Sequence, residues 1–180
     1  VVNVAQVKPG DTVAVFGASG GLGLNVVQIA KAFGANVIGV ARRKWKLEKA
    51  KEFGASEIIS TMEVEKPELE IRKMTNGGVN IAIDATGSPQ AVEMACRSVR
   101  NGGKVVVVGY GMQNFAVPFM RFLWYELKVM GSCRYKPSDL FRVVEMVHKG
   151  MIKIEGLVSH RFPLEEINKG YEVLDKGEVL

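Results

Sequence analysis

Cysteine and histidine are scarce in this chain, with two of each among 180 residues. Cys96 and Cys133 are too few for a disulfide framework and suit a reducing cytoplasm. Together with His148, near an expected helix end, and His160, on an expected later strand, they make no close-spaced ligand set for a metal. All four therefore read as structural residues, Cys133 as a partly buried one. Apolar runs stop at strand length, which argues against any membrane-spanning helix. The start, Val1-Val-Asn-Val-Ala5, has no basic region, long apolar core or cleavage site, so it does not read as a signal peptide. It also lacks an initiator Met, which fits a segment excised from a longer chain. No Ser–His–Asp order and no carboxylate pair points to hydrolysis. No low-complexity stretch, internal repeat or flexible linker interrupts the chain. Charge of one sign is not concentrated either. A net +5 favours anionic ligands but is too small to argue for nucleic acid.

Hydrophobic residues make up 47% and charged residues 24%, an ordinary balance for one globular domain able to bury a core. Apolar runs alternate with helical patterns. Strands are expected at Thr12–Phe16, Asn36–Val40, Glu57–Ile59, Asn80–Asp84, Lys104–Val108 and Leu127–Gly131. The middle four are Val/Ile-rich with little alternation, as in parallel strands covered on both faces. In the first helix Leu22, Val26, Ile29, Ala30 and Phe33 share a face, and Gly34 closes it. Trp45–Phe53 is closed by Gly54, and Pro67–Met74 opens on a first-turn proline. Ser88-Pro89 starts the next helix and Asn101-Gly102-Gly103 ends it. Later, Ser138 is positioned to cap a helix with Leu140, Val143, Val144 and Val147 on one side. Pro163–Asp175 aligns Leu164, Ile167, Tyr171 and Leu174. Trp45 and Trp124 read as packing residues. The alternation implies an α/β fold: a doubly wound, parallel, six-stranded sheet (Rossmann fold) with helices on both faces.

The first strand runs into Gly17-Ala-Ser-Gly20-Gly21-Leu-Gly23 and then into a helix. Gly17 would turn the chain tightly out of the strand. Gly20 would leave room for a pyrophosphate, and Gly23 would let the helix approach the strand. Free N–H groups at the helix start attract phosphate, and Ser19 could add a hydroxyl. A glycine pattern alone is weak, but a strand before it, a helix after it and a second strand at Asn36–Val40 supply the confirming context.

The end of that second strand separates two cofactors. An acidic residue there would favour NAD by binding ribose hydroxyls. The chain instead reads Val40-Ala41-Arg42-Arg43-Lys44. No carboxylate repels a 2′-phosphate, and Arg42 and Arg43 could bind one. Cations are disfavoured at a helix start, and an anion bound there would offset that cost. The reading is NADP, with NAD as the alternative. A solvated basic helix start remains the simpler account of the same residues.

Several segments carry a more specific signal. These are Lys8-Pro-Gly-Asp-Thr12, Val26-Val-Gln-Ile-Ala-Lys-Ala-Phe-Gly-Ala35, Lys49-Ala-Lys-Glu-Phe-Gly-Ala55 and Asp84-Ala-Thr-Gly-Ser88. Gly102-Gly-Lys-Val-Val-Val-Val-Gly109, Val129-Met-Gly-Ser132 and His160-Arg-Phe-Pro-Leu-Glu-Glu-Ile-Asn168 complete the set. Over nearly its full length the chain resembles the cofactor domain of the medium-chain dehydrogenase/reductase superfamily, most strongly its zinc-type alcohol dehydrogenases. The resemblance implies that Gly20, Gly21, Leu22 and Gly23 sit against the pyrophosphate and Arg42 beside the adenosine ribose. Thr86 and Gly87 would face the cofactor, with Val108, Gly109 and Tyr110 towards the nicotinamide.

It also implies hydride transfer between nicotinamide and a small alcohol or carbonyl substrate held by a separate catalytic domain, absent from residues 1–180. Any zinc would belong to that domain. The chain reads as truncated at both ends and is expected to bind cofactor without turning over substrate. A homodimer, with Arg121–Gly131 at a sheet edge, is a further implication. The longer glycine turn, Gly17-Ala-Ser-Gly20, also resembles zinc-independent quinone and enoyl reductases. A nucleotide-sensing module without catalysis is a third reading. Arg42-Arg43-Lys44-Trp45-Lys46 is too short a cluster to argue for nucleic-acid binding. Asp84, at the end of a strand, is expected to organise the next turn through its side chain rather than to catalyse.

Overall fold

A computed structural model describes residues 1–180. Six strands, β1 (Thr12–Phe16), β2 (Asn36–Ala41), β3 (Glu57–Ser60), β4 (Val79–Asp84), β5 (Val99–Val107) and β6 (Lys128–Gly131), form one sheet. Their order is β3-β2-β1-β4-β5-β6, and every neighbouring pair is parallel. The order reverses between β1 and β4, which opens a crevice at the carboxyl ends of those strands.

Seven α-helices link or follow the strands: α1 (Gly21–Ala32), α2 (Lys44–Glu52), α3 (Pro67–Met74), α4 (Pro89–Ser98), α5 (Phe119–Trp124), α6 (Pro137–His148) and α7 (Ile167–Asp175). Successive residues of β1 point to opposite faces, and both faces are apolar. Val13 and Val15 pack with Leu24, Val27 and Ala30 of α1 and with Leu47 and Ala50 of α2. Ala14 and Phe16 pack on the other side with Ile71 of α3 and Val92, Ala95 and Cys96 of α4. Two cores therefore sandwich the sheet, and no buried side-chain nitrogen or oxygen lacks a partner. No helix is long and apolar enough to cross a membrane.

The doubly wound sheet with helices on both faces is therefore present, but several local expectations are corrected. Helix α4 stops at Ser98, before Asn101-Gly102-Gly103, because Val99 turns extended and pairs with Val79. The fifth strand accordingly starts at Val99 and ends at Val107, so Val108 lies just beyond it. Lys136, not Ser138, is the N-cap of α6, since Pro137 occupies the first helical position. Residues 164–166 form a 3₁₀ turn and α7 begins only at Ile167. The aligned apolar faces of α6 and α7 are not core: neither helix has a buried residue. Leu22 also leaves the expected face of α1, where Gly23, Leu24, Val27 and Ala30 meet the sheet instead. Trp45 and Trp124 are 58% and 70% exposed, so neither is a packing residue. Cys133 is exposed rather than partly buried, and His160 lies outside any strand.

Candidate functional site

The crevice at the switch between β1 and β4 holds a cleft of about 610 Å³. Its floor is the strand ends: Phe16-Gly17 from β1, Val40-Ala41 from β2, and Ala85-Thr86 after β4. The turn leaving β1 is tied to its neighbour, since Gly17 and Ala18 donate their N–H groups to Val40 O at 2.8 and 3.2 Å. Gly17 has φ +81°, a conformation that only glycine adopts cheaply, and a Cβ there would lie 2.7 Å from Thr86 Cγ2.

Gly23 has a different constraint. A Cβ on it would meet Gly17 O at 2.0 Å, so its hydrogen is what lets α1 start directly beside the strand end. Gly21 meets nothing within 4 Å, and Gly20 meets only Gly17 O, at 3.8 Å. The space beside those two residues is therefore open on the cleft side. Helix α1 has no side-chain cap and no acidic residue in its first turn. Leu24 is the first residue to bond back, to Gly20 O at 2.8 Å. The N–H groups of Gly21, Leu22 and Gly23 precede it and take no main-chain acceptor. Unpaired donors at a helix start, with adjacent glycines leaving room for close approach, fit a phosphate.

Opposite them, at the start of α2, four cations follow one another closely. Lys44 pairs with Glu63 at 3.2 Å, Arg43 Nη1 donates to Gly177 O at 3.0 Å, and Lys46 Nζ donates to Val179 O. Arg42 is the one of the four without a polar side-chain partner. Its carbonyl is held by the Ser60 hydroxyl at 2.7 Å, which anchors the end of β2 against β3. Arg42, Arg43 and Lys46 all line the cleft. Burial, then Arg43, then Arg42, hold the Lys46 ammonium below the ordinary lysine range. Converging positive charge of this kind is relieved by an anion.

Asp84 closes the other wall. It is fully buried at the end of β4, and both carboxylate oxygens accept bonds from the next turn. Thr86 N–H and Oγ1–H donate to Oδ1 at 3.0 and 2.6 Å, and Gly87 N–H donates to Oδ2 at 3.0 Å. This is the turn-organising role expected of it. The main-chain oxygen of Asp84 also accepts from Val108 and Gly109, both at 2.9 Å. The loop after β5 is thus fastened onto the turn after β4. A Cβ on Gly109 would fall 2.0 Å from Gly87 N, so the two segments touch through their backbones.

The structure brings Gly17, Ser19, Gly20, Arg42, Arg43 and Thr86 into the cleft lining. Gly87 lines an adjoining open depression of about 350 Å³ with Thr86 and Gly111. Gly21, Leu22 and Gly23 form the start of α1 beside the cleft, with Leu22 47% exposed. Val108, Gly109 and Tyr110 line neither cavity. Val108 packs against the core edge, and Tyr110 is 86% exposed. Sequence reasoning missed Lys46, Thr61, Ser88, Gln90 and Met94. The spacing of Lys46 from Arg43, one helical turn, and the place of Thr61 just after β3 were signals for two of them. Gly177 also reaches the cleft, and nothing local announced it. No group of three or more His, Cys, Asp or Glu side chains is arranged to hold a metal.

Comparison with known proteins agrees with this fold. Residues 21–149 match the family described as zinc-binding dehydrogenase. Alcohol dehydrogenase 1 of Pisum sativum is 40% identical across 98% of this chain and 48% of its own length. Among solved structures, alcohol dehydrogenase TADH from Thermus sp. ATN1 superimposes with a TM-score of 0.90 at 31% identity, over 99% of this chain and 52% of that one. The crystal structure of an NAD-dependent alcohol dehydrogenase gives a TM-score of 0.88 at 31% identity, over 98% and 51%. The chain spans about half the length of the relatives it matches.

Proposed function

The chain belongs to the zinc-binding dehydrogenase family, and from that premise we propose that it is the dinucleotide-binding domain of an alcohol dehydrogenase-like oxidoreductase. The carrying observation is the cleft at the β1/β4 switch, with unpaired N–H donors of α1 on one side and Arg42, Arg43 and Lys46 on the other. When bound, the nicotinamide supplies the hydride chemistry. The residues of this chain bind and orient. The amides of Gly21, Leu22 and Gly23 receive the pyrophosphate, and Thr86 and Gly87, held by Asp84, face the cofactor. Val108, Gly109 and Tyr110 line neither cavity, and their proposed place towards the nicotinamide end rests on the family resemblance and on the fastening of their loop to Asp84 O.

The finer reading is NADP rather than NAD. It rests on Arg42, a cation without a polar side-chain partner at the end of β2, and on the absence of a carboxylate there. One structural relative is an NAD-dependent enzyme, so the choice rests on this chain's own residues. The substrate is a small alcohol or carbonyl compound, and a catalytic domain beyond residues 1–180 supplies its pocket and any zinc. We further propose a homodimer through β6, whose edge position leaves one row of backbone groups unpaired. The two unbridged cysteines suit a cytoplasmic protein.

Calorimetric titration of the chain with NADPH and with NADH tests the site. Tighter NADPH binding that falls to the NADH level in Arg42→Ala is the expected result. Equal or tighter NADH binding overturns the NADP assignment, and binding of neither overturns the cofactor reading. Alcohol oxidation by this chain alone would refute the division of labour between domains.

A further inference from the structure

Two of the three cleft cations already have partners, and those partners come from far along the chain. Arg43 Nη1 donates to Gly177 O at 3.0 Å, and Lys46 Nζ donates to Val179 O. Both acceptors are main-chain carbonyls of the segment that follows α7. Gly177 itself lines the cleft. The segment is otherwise lightly held. Gly177 and Glu178 donate to Leu174 O and Val173 O at 2.9 and 3.1 Å, which only extends the last turn of α7. Leu180 N–H reaches Ser159 Oγ at 3.4 Å. Helix α7 buries no residue, and in the segment Glu178 is exposed while Gly177, Val179 and Leu180 are only partly buried.

We propose that residues 177–179 are a strap that competes with a ligand phosphate for Arg43 and Lys46. A dinucleotide carrying a phosphate on its adenosine ribose then releases the strap, whereas one without it leaves the strap closed. The proposal rests on the dinucleotide reading of the cleft. Its physical basis is the difference between the competing acceptors. A carbonyl oxygen offers each cation one neutral acceptor. A phosphate offers three oxygens and up to two negative charges, and forms the stronger, charge-assisted bonds. The crowding of Lys46 by Arg43 and Arg42 works in the same direction, because a neutral carbonyl leaves that repulsion in place and a dianion removes it. Coupling of this kind is reciprocal: whatever holds the strap closed weakens the phosphate-bearing ligand by the same factor.

Hydrogen exchange read by mass spectrometry on the whole chain tests this, following residues 173–180 and α1 in one experiment. The chain is compared alone, saturated with NADH and saturated with NADPH. Both dinucleotides are expected to slow exchange at the start of α1. NADPH alone is expected to speed exchange at Gly177 and Glu178, by about fivefold or more. In Lys46→Met the strap should exchange fast without ligand, and NADPH should add little. Slower α1 exchange with NADPH but unchanged or slower strap exchange overturns the strap and leaves the cofactor reading intact. Strap exchange in Lys46→Met equal to that of the parent chain also overturns it. If neither dinucleotide protects α1, the cofactor reading fails and takes the strap with it.

Discussion

Replacing Gly23 with alanine tests whether the α1 start is held by a single close approach. The added Cβ would lie 2.0 Å from Gly17 O, 2.7 Å from Gly17 C and 2.8 Å from Ala18 Cα. All three are backbone atoms, so no side chain can rotate away, and the helix and the turn must separate by at least about 1 Å at the closest contact. Overpacking of this kind costs about 1–3 kcal/mol, and a rigid backbone neighbour puts it near 3. Alanine gains about 1 kcal/mol over glycine in a helix. The net loss is about 2 kcal/mol, which lowers a urea midpoint by about 1 M for a chain of this size.

Gly21→Ala is the matched control, because its Cβ meets nothing within 4 Å. It should leave the midpoint unchanged or slightly raised while weakening dinucleotide binding, since the new methyl stands beside the unpaired amides. Urea unfolding followed by far-ultraviolet circular dichroism reads both variants. A Gly23→Ala midpoint equal to that of Gly21→Ala would refute the close-approach argument.

Asp84→Asn should lose about 3 kcal/mol, because an amide NH₂ would face one of the N–H donors now bonded to the carboxylate, a drop of roughly 10 °C by calorimetry. An unchanged melting temperature would show that the turn holds itself. Arg121→Met should cost about 2 kcal/mol in urea unfolding. Its guanidinium caps the end of α4 by donating to Cys96 O at 3.2 Å and Val99 O at 2.7 Å, and it lies 4.1 Å from the Tyr125 ring centre. Stability should fall as pH rises from about 9 to 11. Burial pushes the Cys96 thiol up to about 11, so the unfolded chain releases this proton first, and the folded state loses up to roughly 2–3 kcal/mol of advantage across that window. Cys96→Ala should flatten this part of the pH profile, and a variant with an unaltered slope would assign it to other groups.

Much of the site was legible because it is local. Gly17 to Gly23 is one continuous turn, in which Gly17 is constrained by Thr86 and Gly23 by Gly17, while Gly20 and Gly21 leave open space beside the helix start. Arg42 and Arg43 follow directly from the end of β2. Asp84 was legible as a turn former because its partners, Thr86 and Gly87, are two and three residues away. The residues that were misread depend on contacts with distant segments. Trp45, Trp124 and the apolar stripes of α6 and α7 have the composition of core faces, yet no element covers them within residues 1–180. Periodicity reports which face is apolar, not whether something lies against it. The early end of α4 has the same origin: Val99 leaves the helix to pair with Val79, twenty residues away.

The sequence by itself determined the fold class and the glycine turn. Strand–helix alternation leaves few ways to bury two apolar strand faces, and a glycine turn between strand and helix is a short-range device. Tertiary structure alone decided what the cleft cations touch. It fastened the loop after β5 to the carbonyl of Asp84 and laid Gly177 and Val179 across Arg43 and Lys46. Those contacts join residues up to 134 positions apart, and no spacing along the chain encodes them. They exist because the parallel sheet brings the carboxyl ends of its strands to one edge, where segments remote in sequence must meet.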